Sequence, residues 1–186
     1  MNLKLNYITT NKLKFKIAQN YFNEMADVGL VQYAIDTPEI QSTSCEEIAR
    51  QSAIFAAKEI GEPCVKMDAG FFIPVLNGFP GPFVKYVNDY LNEEKILKLL
   101  EDESDRSAYF LDATAIGFPD GTSKIFVKKY TGYIAKAGEY TPSKWPANSL
   151  FIPEGYDKPL GSMTEKKQEE YWSGGMWSEI VEYLSA

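Results

Sequence analysis

The chain contains no histidine. That absence removes Ser–His and Cys–His nucleophilic catalysis, histidine-ligated zinc and any imidazole general base. Cysteine is nearly as scarce. Cys45 and Cys64 have no metal-ligand spacing and are too few for a disulfide framework, so a reduced, cytoplasmic pair of thiols is expected. No apolar run approaches the roughly 18 residues that span a bilayer. Met1 to Asn6 show no apolar region followed by a cleavage site. A cytoplasmic protein with no membrane partner is the reading. Positive charge is also in deficit, with 19 lysines and arginines against 26 acids and a net charge of −7. So acidic a chain lacks the electrostatic footprint of a protein that follows a nucleic-acid polymer. A few lysines in a cleft still suffice for a small phosphorylated ligand.

What is present belongs to a folded protein. Hydrophobic content of 45% and aromatic content of 14% over 186 residues supply one domain with a substantial core, or two small lobes around a cleft. The chemistry left without histidine is that of carboxylate, lysine, tyrosine and hydroxyl, with carboxylate-held Mg2+ the cofactor it suggests.

Along the chain, Leu3 to Thr9 alternates with a period of two and predicts a strand. Thr9-Thr10-Asn11 breaks it, and Lys12 to Phe22 carries a helical stripe. Lys12 and Lys14 then fall in the first helical turn, where the helix dipole disfavours cations; an anion on free N–H groups there would account for them. Val28 to Ile35 predicts a second strand. Ser44 with Glu47 is a capping box opening a helix to about Ile60, with Ile48, Phe55 and Ala56 as its core face and Ser52 between them. Val65 to Gly70 predicts the end of a third strand. Pro82 to Leu100 reads as two short helices broken near Asn92, burying Ile96, Leu97, Leu99 and Leu100. Ser107 to Phe118 and Lys124 to Ala135 pair through the turn Pro119-Asp120-Gly121-Thr122. Lys136 to Asn148 is expected to be loop. Met163 to Tyr171 and Trp177 to Leu184 are closing helices, separated by Ser173-Gly174-Gly175. The alternation of strands and helices, followed by a hairpin, predicts an α/β fold with a mixed sheet.

The stretch Met67 to Tyr86 holds the densest functional signal. Asp68 ends an apolar run and is followed by Ala69 and Gly70, small residues that let a ligand approach the backbone. Gly78, Pro80, Gly81 and Pro82 then mark an ordered loop.

Taken in order, these residues resemble the inosine triphosphate pyrophosphatase (ITPase) family, the house-cleaning nucleoside triphosphate pyrophosphatases. Thr9-Thr10-Asn11-Lys12-Leu13-Lys14 is similar to the family's T-G-N-x-x-K turn, and Asp36-Thr37-Pro38-Glu39-Ile40-Gln41 to its L-P-E-x-Q segment. Met67-Asp68-Ala69-Gly70 with Leu76-Asn77-Gly78-Phe79-Pro80-Gly81-Pro82-Phe83 resembles its central D-S/T-G/C-L and G-x-P-G block. Asp105 to Phe110, and Phe151-Ile152-Pro153-Glu154-Gly155-Tyr156 with Met163, resemble its later strand and tail. Three departures stand out. Thr10 replaces a glycine, and Trp145-Pro146-Ala147-Asn148-Ser149 places Asn148 where the family carries an aspartate. The C-terminal S-H-R motif is absent; Tyr171, Trp172, Ser173 and Gly174 stand near its place.

The resemblance implies a single domain over residues 1–186, with a mixed curved sheet flanked by helices and two lobes around a central cleft. It implies Mg2+-dependent hydrolysis of a nucleoside triphosphate to the monophosphate and pyrophosphate, on non-standard purine nucleotides such as ITP or XTP with an altered base preference. Glu39 and Asp68 would hold the metal, Asp68 would also direct the attacking water, and Lys14 would complement the phosphates. Thr9, Thr10, Asn11, Ala69, Gly70, Phe83, Trp145, Asn148 and Lys167 would complete substrate binding, with Trp145 the stacking surface for a base. A homodimer is implied as well, through the apolar, proline-rigid segment Gly78 to Tyr86. The alternative is a non-catalytic nucleotide-binding or interaction protein that has kept the fold.

Overall fold

A computed structural model of the chain describes residues 3–23, 28–173 and 176–185. The alternating N-terminal run forms strand β1 (Leu3–Ile8). Helix α1 (Lys12–Phe22) begins at Asn11, whose side chain accepts from the Leu13 and Lys14 amides. Strand β2 (Val28–Tyr33) lies parallel to β1, with Leu5 opposite Leu30. Helix α2 (Cys45–Ile60) is capped by Ser44 and closed by Gly61, which adopts the left-handed conformation (φ 76) that glycine tolerates. The expected capping box is split between two acids. The Ser44 hydroxyl accepts from the Glu47 amide and donates to Glu46, while Glu47 takes the Ser42 hydroxyl at 2.6 Å.

Strand β3 (Cys64–Phe72) is parallel to β1, and the short β4 (Pro80–Gly81) is antiparallel to β3. Helices α3 (Val84–Tyr90) and α4 (Glu93–Lys98) separate at Asn92, which caps the second by accepting from the Lys95 amide. Strands β5 (Ser107–Gly117) and β6 (Ser123–Ile134) form the predicted hairpin, its turn held by Asp120 accepting from the Thr122 amide at 2.8 Å. Helix α5 (Pro146–Leu150), strand β7 (Phe151–Pro153) and helices α6 (Glu165–Trp172) and α7 (Met176–Ser185) follow. The strands form one mixed sheet in the order β2-β1-β3-β5-β6-β7, with β4 beside β3. The loop expected over 136–148 ends early, because Pro146, its φ already set for a helix, starts α5. Gly174 and Gly175 of the expected break lie outside the described residues. Among the described residues no helix is long and apolar enough to cross a membrane.

The chain divides into two compact units: Met1–Asp68 with Asp112–Lys128 and Ser173–Ala186, and Ala69–Leu111 with Lys129–Trp172. In the first unit, alternate residues of each strand serve opposite faces. Leu5, Tyr7, Val65 and Ile116 pack with Ala18 and Phe22 of α1 and with Met176, Trp177 and Ile180 of α7. The Trp177 ring meets Tyr7 edge-on at 5.2 Å. Ile8 and Cys64 point the other way, against Ala56 and Ala57 of α2. On that face the wholly buried Ala113 and Ala115 alternate with Gly117, and a Cβ on Gly117 would stand 2.4 Å from the Ala53 carbonyl carbon. The buried face of α2 is accordingly made of small residues (Cys45, Ala49, Ser52, Ala53, Ala56, Ala57) with Ile48. Phe55, expected on it, is 37% exposed, since a face so near strand backbone has no room for a ring.

The second unit is built on aromatic packing. Phe71, Phe110 and Phe151 meet one another at 4.5 to 5.8 Å, with Ile96, Leu100 and Leu160 around them. Leu97 packs against this cluster as expected. Leu99, expected to be buried, is 48% exposed. Helix α4 ends at Lys98, so the helical period that would have turned Leu99 inward no longer applies.

Candidate active site

Residues of the first unit gather at the ends of β1 and β3. The Thr9 hydroxyl accepts from the Asn11 amide at 3.1 Å, and Asn11 Oδ1 accepts from the Leu13 and Lys14 amides at 3.0 and 3.1 Å. The Phe15 amide bonds the Asn11 carbonyl. The free N–H groups expected at this helix start are therefore largely engaged by Asn11 and Thr9. Side chains, not this cap, are left to meet an anion. Thr10 is exposed beside them.

Lys14 lies one turn before the wholly buried Ala18, so it sits on the stripe of α1 that packs on the sheet, and it is half-buried. Asp112, on β5, stands within electrostatic reach of Lys14. Burial pushes the Asp112 carboxyl above its ordinary range and Lys14 pulls it back down. The Tyr7 phenol is pushed well above its usual value, first by burial and then by the Asp112 charge.

The carboxylates expected to hold a metal come from the loop after β2 and from β3. Glu39 is exposed, with its carboxylate 3.5 Å from Lys66 Nζ, which also donates to Thr37 Oγ1 at 2.9 Å. Lys66 and Asp68 are alternate residues of β3, on one side of the strand and roughly 7 Å apart. The Lys66 contact thus brings Glu39 to the side of β3 that carries Asp68. Asp68 is half-buried, and its charge, after burial, pushes the nearby Cys45 thiol above its ordinary range. Among the described residues no three acids, cysteines or histidines are placed to enclose an ion. Mg2+ does not need such a cage; it keeps several waters and takes one or two carboxylates beside a substrate phosphate. Two hard oxygen donors, Glu39 and Asp68, match that requirement in number and kind.

The other predicted residues belong to the second unit. Ala69 and Gly70 continue β3. Phe83, 38% exposed, precedes α3, and Trp145, 41% exposed, precedes α5 with Lys144 Nζ 5.2 Å from its ring centre. Asn148 is half-buried within α5, and Lys167 is exposed on α6. Tyr171 and Trp172, which stand near the place of the absent S-H-R motif, are engaged in packing: Trp172 edge-on to Phe110 at 5.3 Å, Tyr171 edge-on to Tyr156 at 5.9 Å.

Three residues of the site were not singled out from the sequence. Asp112 carried a signal, an acid set inside the apolar run Ala108 to Ile116. Lys66 alternates with Asp68, which was a weaker one. Cys45 offered no signal beyond its place just after the helix cap.

Comparison with known proteins covers nearly the whole chain. The sequence model of the Ham1 family matches residues 5–173. A dITP/XTP pyrophosphatase of Thermococcus kodakarensis is 32% identical over 183 residues, 98% of this chain and 97% of that protein. One from Methanopyrus kandleri is 40% identical over 131 residues, 69% of this chain and 68% of its own. Among solved structures, a HAM1 protein from Coxiella burnetii superposes with a TM-score of 0.80 at 21% identity, over 98% of each chain. A nucleoside-triphosphatase, dITP/XTP pyrophosphatase, from Mycobacterium abscessus gives 0.73 at 23% identity, over 91% of this chain and 93% of that one. At these identities the two structures bear on the fold alone.

Proposed function

The chain belongs to the Ham1 family, and on that premise we propose that it is a nucleoside triphosphate pyrophosphatase, cleaving its substrate to the monophosphate and pyrophosphate. The observation that carries this reading is the near full-length similarity to a protein named dITP/XTP pyrophosphatase, 98% of this chain against 97% of that one. It agrees with the ITPase resemblance of the motifs themselves.

In this reading Lys14 meets the negative charge of the triphosphate, and its half-buried place on α1 limits how far the ammonium wanders. Asp68 orients or deprotonates the attacking water. Glu39 and Asp68 are the residues that would hold Mg2+, which when bound would neutralise phosphate charge. Lys66 restrains Glu39 until a stronger cation competes for it. Trp145 offers a stacking face, tolerant of base identity because every base has a π-face. Asn148 both donates and accepts, where an ionised aspartate only accepts. With no S-H-R motif, discrimination between inosine-type and standard bases should be weak.

Pyrophosphate release from dITP, XTP, ITP and the standard triphosphates, with and without Mg2+, tests the proposal. Turnover is expected only with the metal. Asp68→Asn should abolish it while nucleotide binding largely persists. Binding without turnover in the wild type would leave a nucleotide-binding protein that has kept the fold. A preference for ITP of about a hundred-fold, roughly 2.7 kcal/mol, would overturn the reading of the base site.

A further inference from the structure

The Trp145 indole is partly exposed, yet the backbone beneath it is held from two sides. From the helix side, the Ser149 amide donates to the Trp145 carbonyl at 3.0 Å. From the loop side the hold runs through Ser149 again, this time through its hydroxyl, which is wholly buried and so needs partners. Ser149 Oγ accepts from the Ser143 amide at 2.9 Å and donates to Ser143 Oγ at 2.8 Å. Ser143 Oγ in turn donates to the Trp145 carbonyl at 3.2 Å and accepts from the Trp145 amide at 3.3 Å. Each hydroxyl proton is used once, and the relay closes. Two neighbouring helices brace it. Glu93 Oε1 of α4 lies 3.3 Å from the Ser143 amide, and Asn88 Oδ1 of α3 accepts from the Ala147 amide at 3.0 Å. Asn88 thus does for α5 what an N-cap side chain ordinarily does, while Trp145, at the N-cap, makes no side-chain cap bond. The indole has no part in holding the helix that carries it.

We propose that Ser149 is a positioning residue for base binding: its buried hydroxyl, acting through Ser143, fixes the backbone from which Trp145 presents its ring. The inference rests on the reading of Trp145 as the stacking face given above. Stacking gains most when the ring is already oriented, because ordering a loose loop at the moment of binding offsets part of the gain. An indole turns about only two side-chain torsions, so a fixed backbone leaves it little orientational freedom. The residue before a proline is itself restricted, and Trp145 is extended (φ −120, ψ 95) ahead of Pro146. Wholly buried, the Ser149 hydroxyl cannot itself reach a ligand. Its loss should therefore be felt as weaker binding of every base alike, with the phosphate end and the chemical step unaffected.

A serine that only closes a loop onto a short helix would lower stability and nothing else, and the test separates the two roles. Ser149→Ala removes the hydroxyl and keeps a small side chain. With Mg2+, KM for the triphosphate substrates is expected to rise about five-fold, the scale of one net hydrogen bond. The turnover number kcat should stay within about two-fold of wild type, the pattern of lost uniform binding. Inhibition by pyrophosphate, which has no base, should be unchanged. In a Trp145→Ala background the same substitution should raise KM no further, as for two residues that act as one. An unchanged KM in Ser149→Ala, an equal weakening of pyrophosphate, or a further rise of the same size on top of Trp145→Ala overturns the proposal. Calorimetric titration with inosine monophosphate needs no turnover, and Ser149→Ala should weaken that binding by the same factor. Should Ser149→Ala fail to fold, Ser143→Ala breaks the relay at a half-buried position and takes the same tests. A raised KM in Trp145→Ala with an unaffected Ser149→Ala would remove this inference alone. A wild-type KM in Trp145→Ala would remove the stacking reading and the positioning role with it. In a wild type that binds the monophosphate without turnover, weaker binding by Ser149→Ala upholds the role and equal binding overturns it.

Discussion

Asp112 sits on a strand beside Tyr7 and Lys14, where burial penalises its charge more than the lysine relieves it. An acid whose folded-state pKa lies above the unfolded 3.8 holds its proton more tightly when folded. Stability then falls as pH rises from about 3.8 through the folded value, and stays lowered beyond it. Asp112→Asn should accordingly raise the urea midpoint relative to wild type at pH 7, and the difference should shrink below pH 3.8, where the native carboxyl is neutral too. A gain of the same size at both pH values would show that charge is not its cause. Individual residues of the site were legible to very different degrees. Asn11, Lys14, Glu39 and Asp68 each stand in a short ordered motif, so the sequence alone was enough to name them. Lys66 and Asp112 join the candidate site only through neighbours on other elements, Glu39 and Lys14, and such contacts leave no local pattern.

Helix α2 shows the same limit one level up. Ser44 at its start and Gly61 at its end are local signals, and the helix runs between them as expected. Its rotation about its own axis is another matter. That is set by Gly117, on a strand far along the chain, where a Cβ would lie within 2.5 Å of the Ala53 carbonyl and the Ile54 amide. Helix and strand meet backbone to backbone there, so the alanines turn in and Phe55 turns out. Gly117→Ala has no flexible side chain to displace. It should cost about 3 kcal/mol, the upper end of overpacking effects, and lower the melting temperature by roughly 2–4 °C for each of those. A shift of under a degree would mean that the helix can slide at little cost.

Across the whole molecule, neither unit is a continuous piece of chain. The boundary passes through β3, β5 and β6, and the first unit is completed only by α7, whose Met176, Trp177 and Ile180 pack on Leu5, Tyr7 and Val65. A chain ending at Trp172 keeps every residue of the buried cluster of the second unit. It should lose the first. Hydrogen exchange is expected to show β1 amides unprotected in that truncated chain; β1 protection equal to wild type would mean that α7 is dispensable. Length and composition allowed either one core or two lobes, and only the contacts of α7 reveal which strands it closes. The arrangement has a consequence for synthesis. Residues 1–68 leave the ribosome first, yet their apolar strand faces find their last partner only when residues 176–180 have been made. The earliest segment waits longest, while the unit encoded in the middle of the message can be finished before it. During that interval Leu5, Tyr7 and Val65 depend on transient cover, and a premature stop after codon 172 would leave them without it for good.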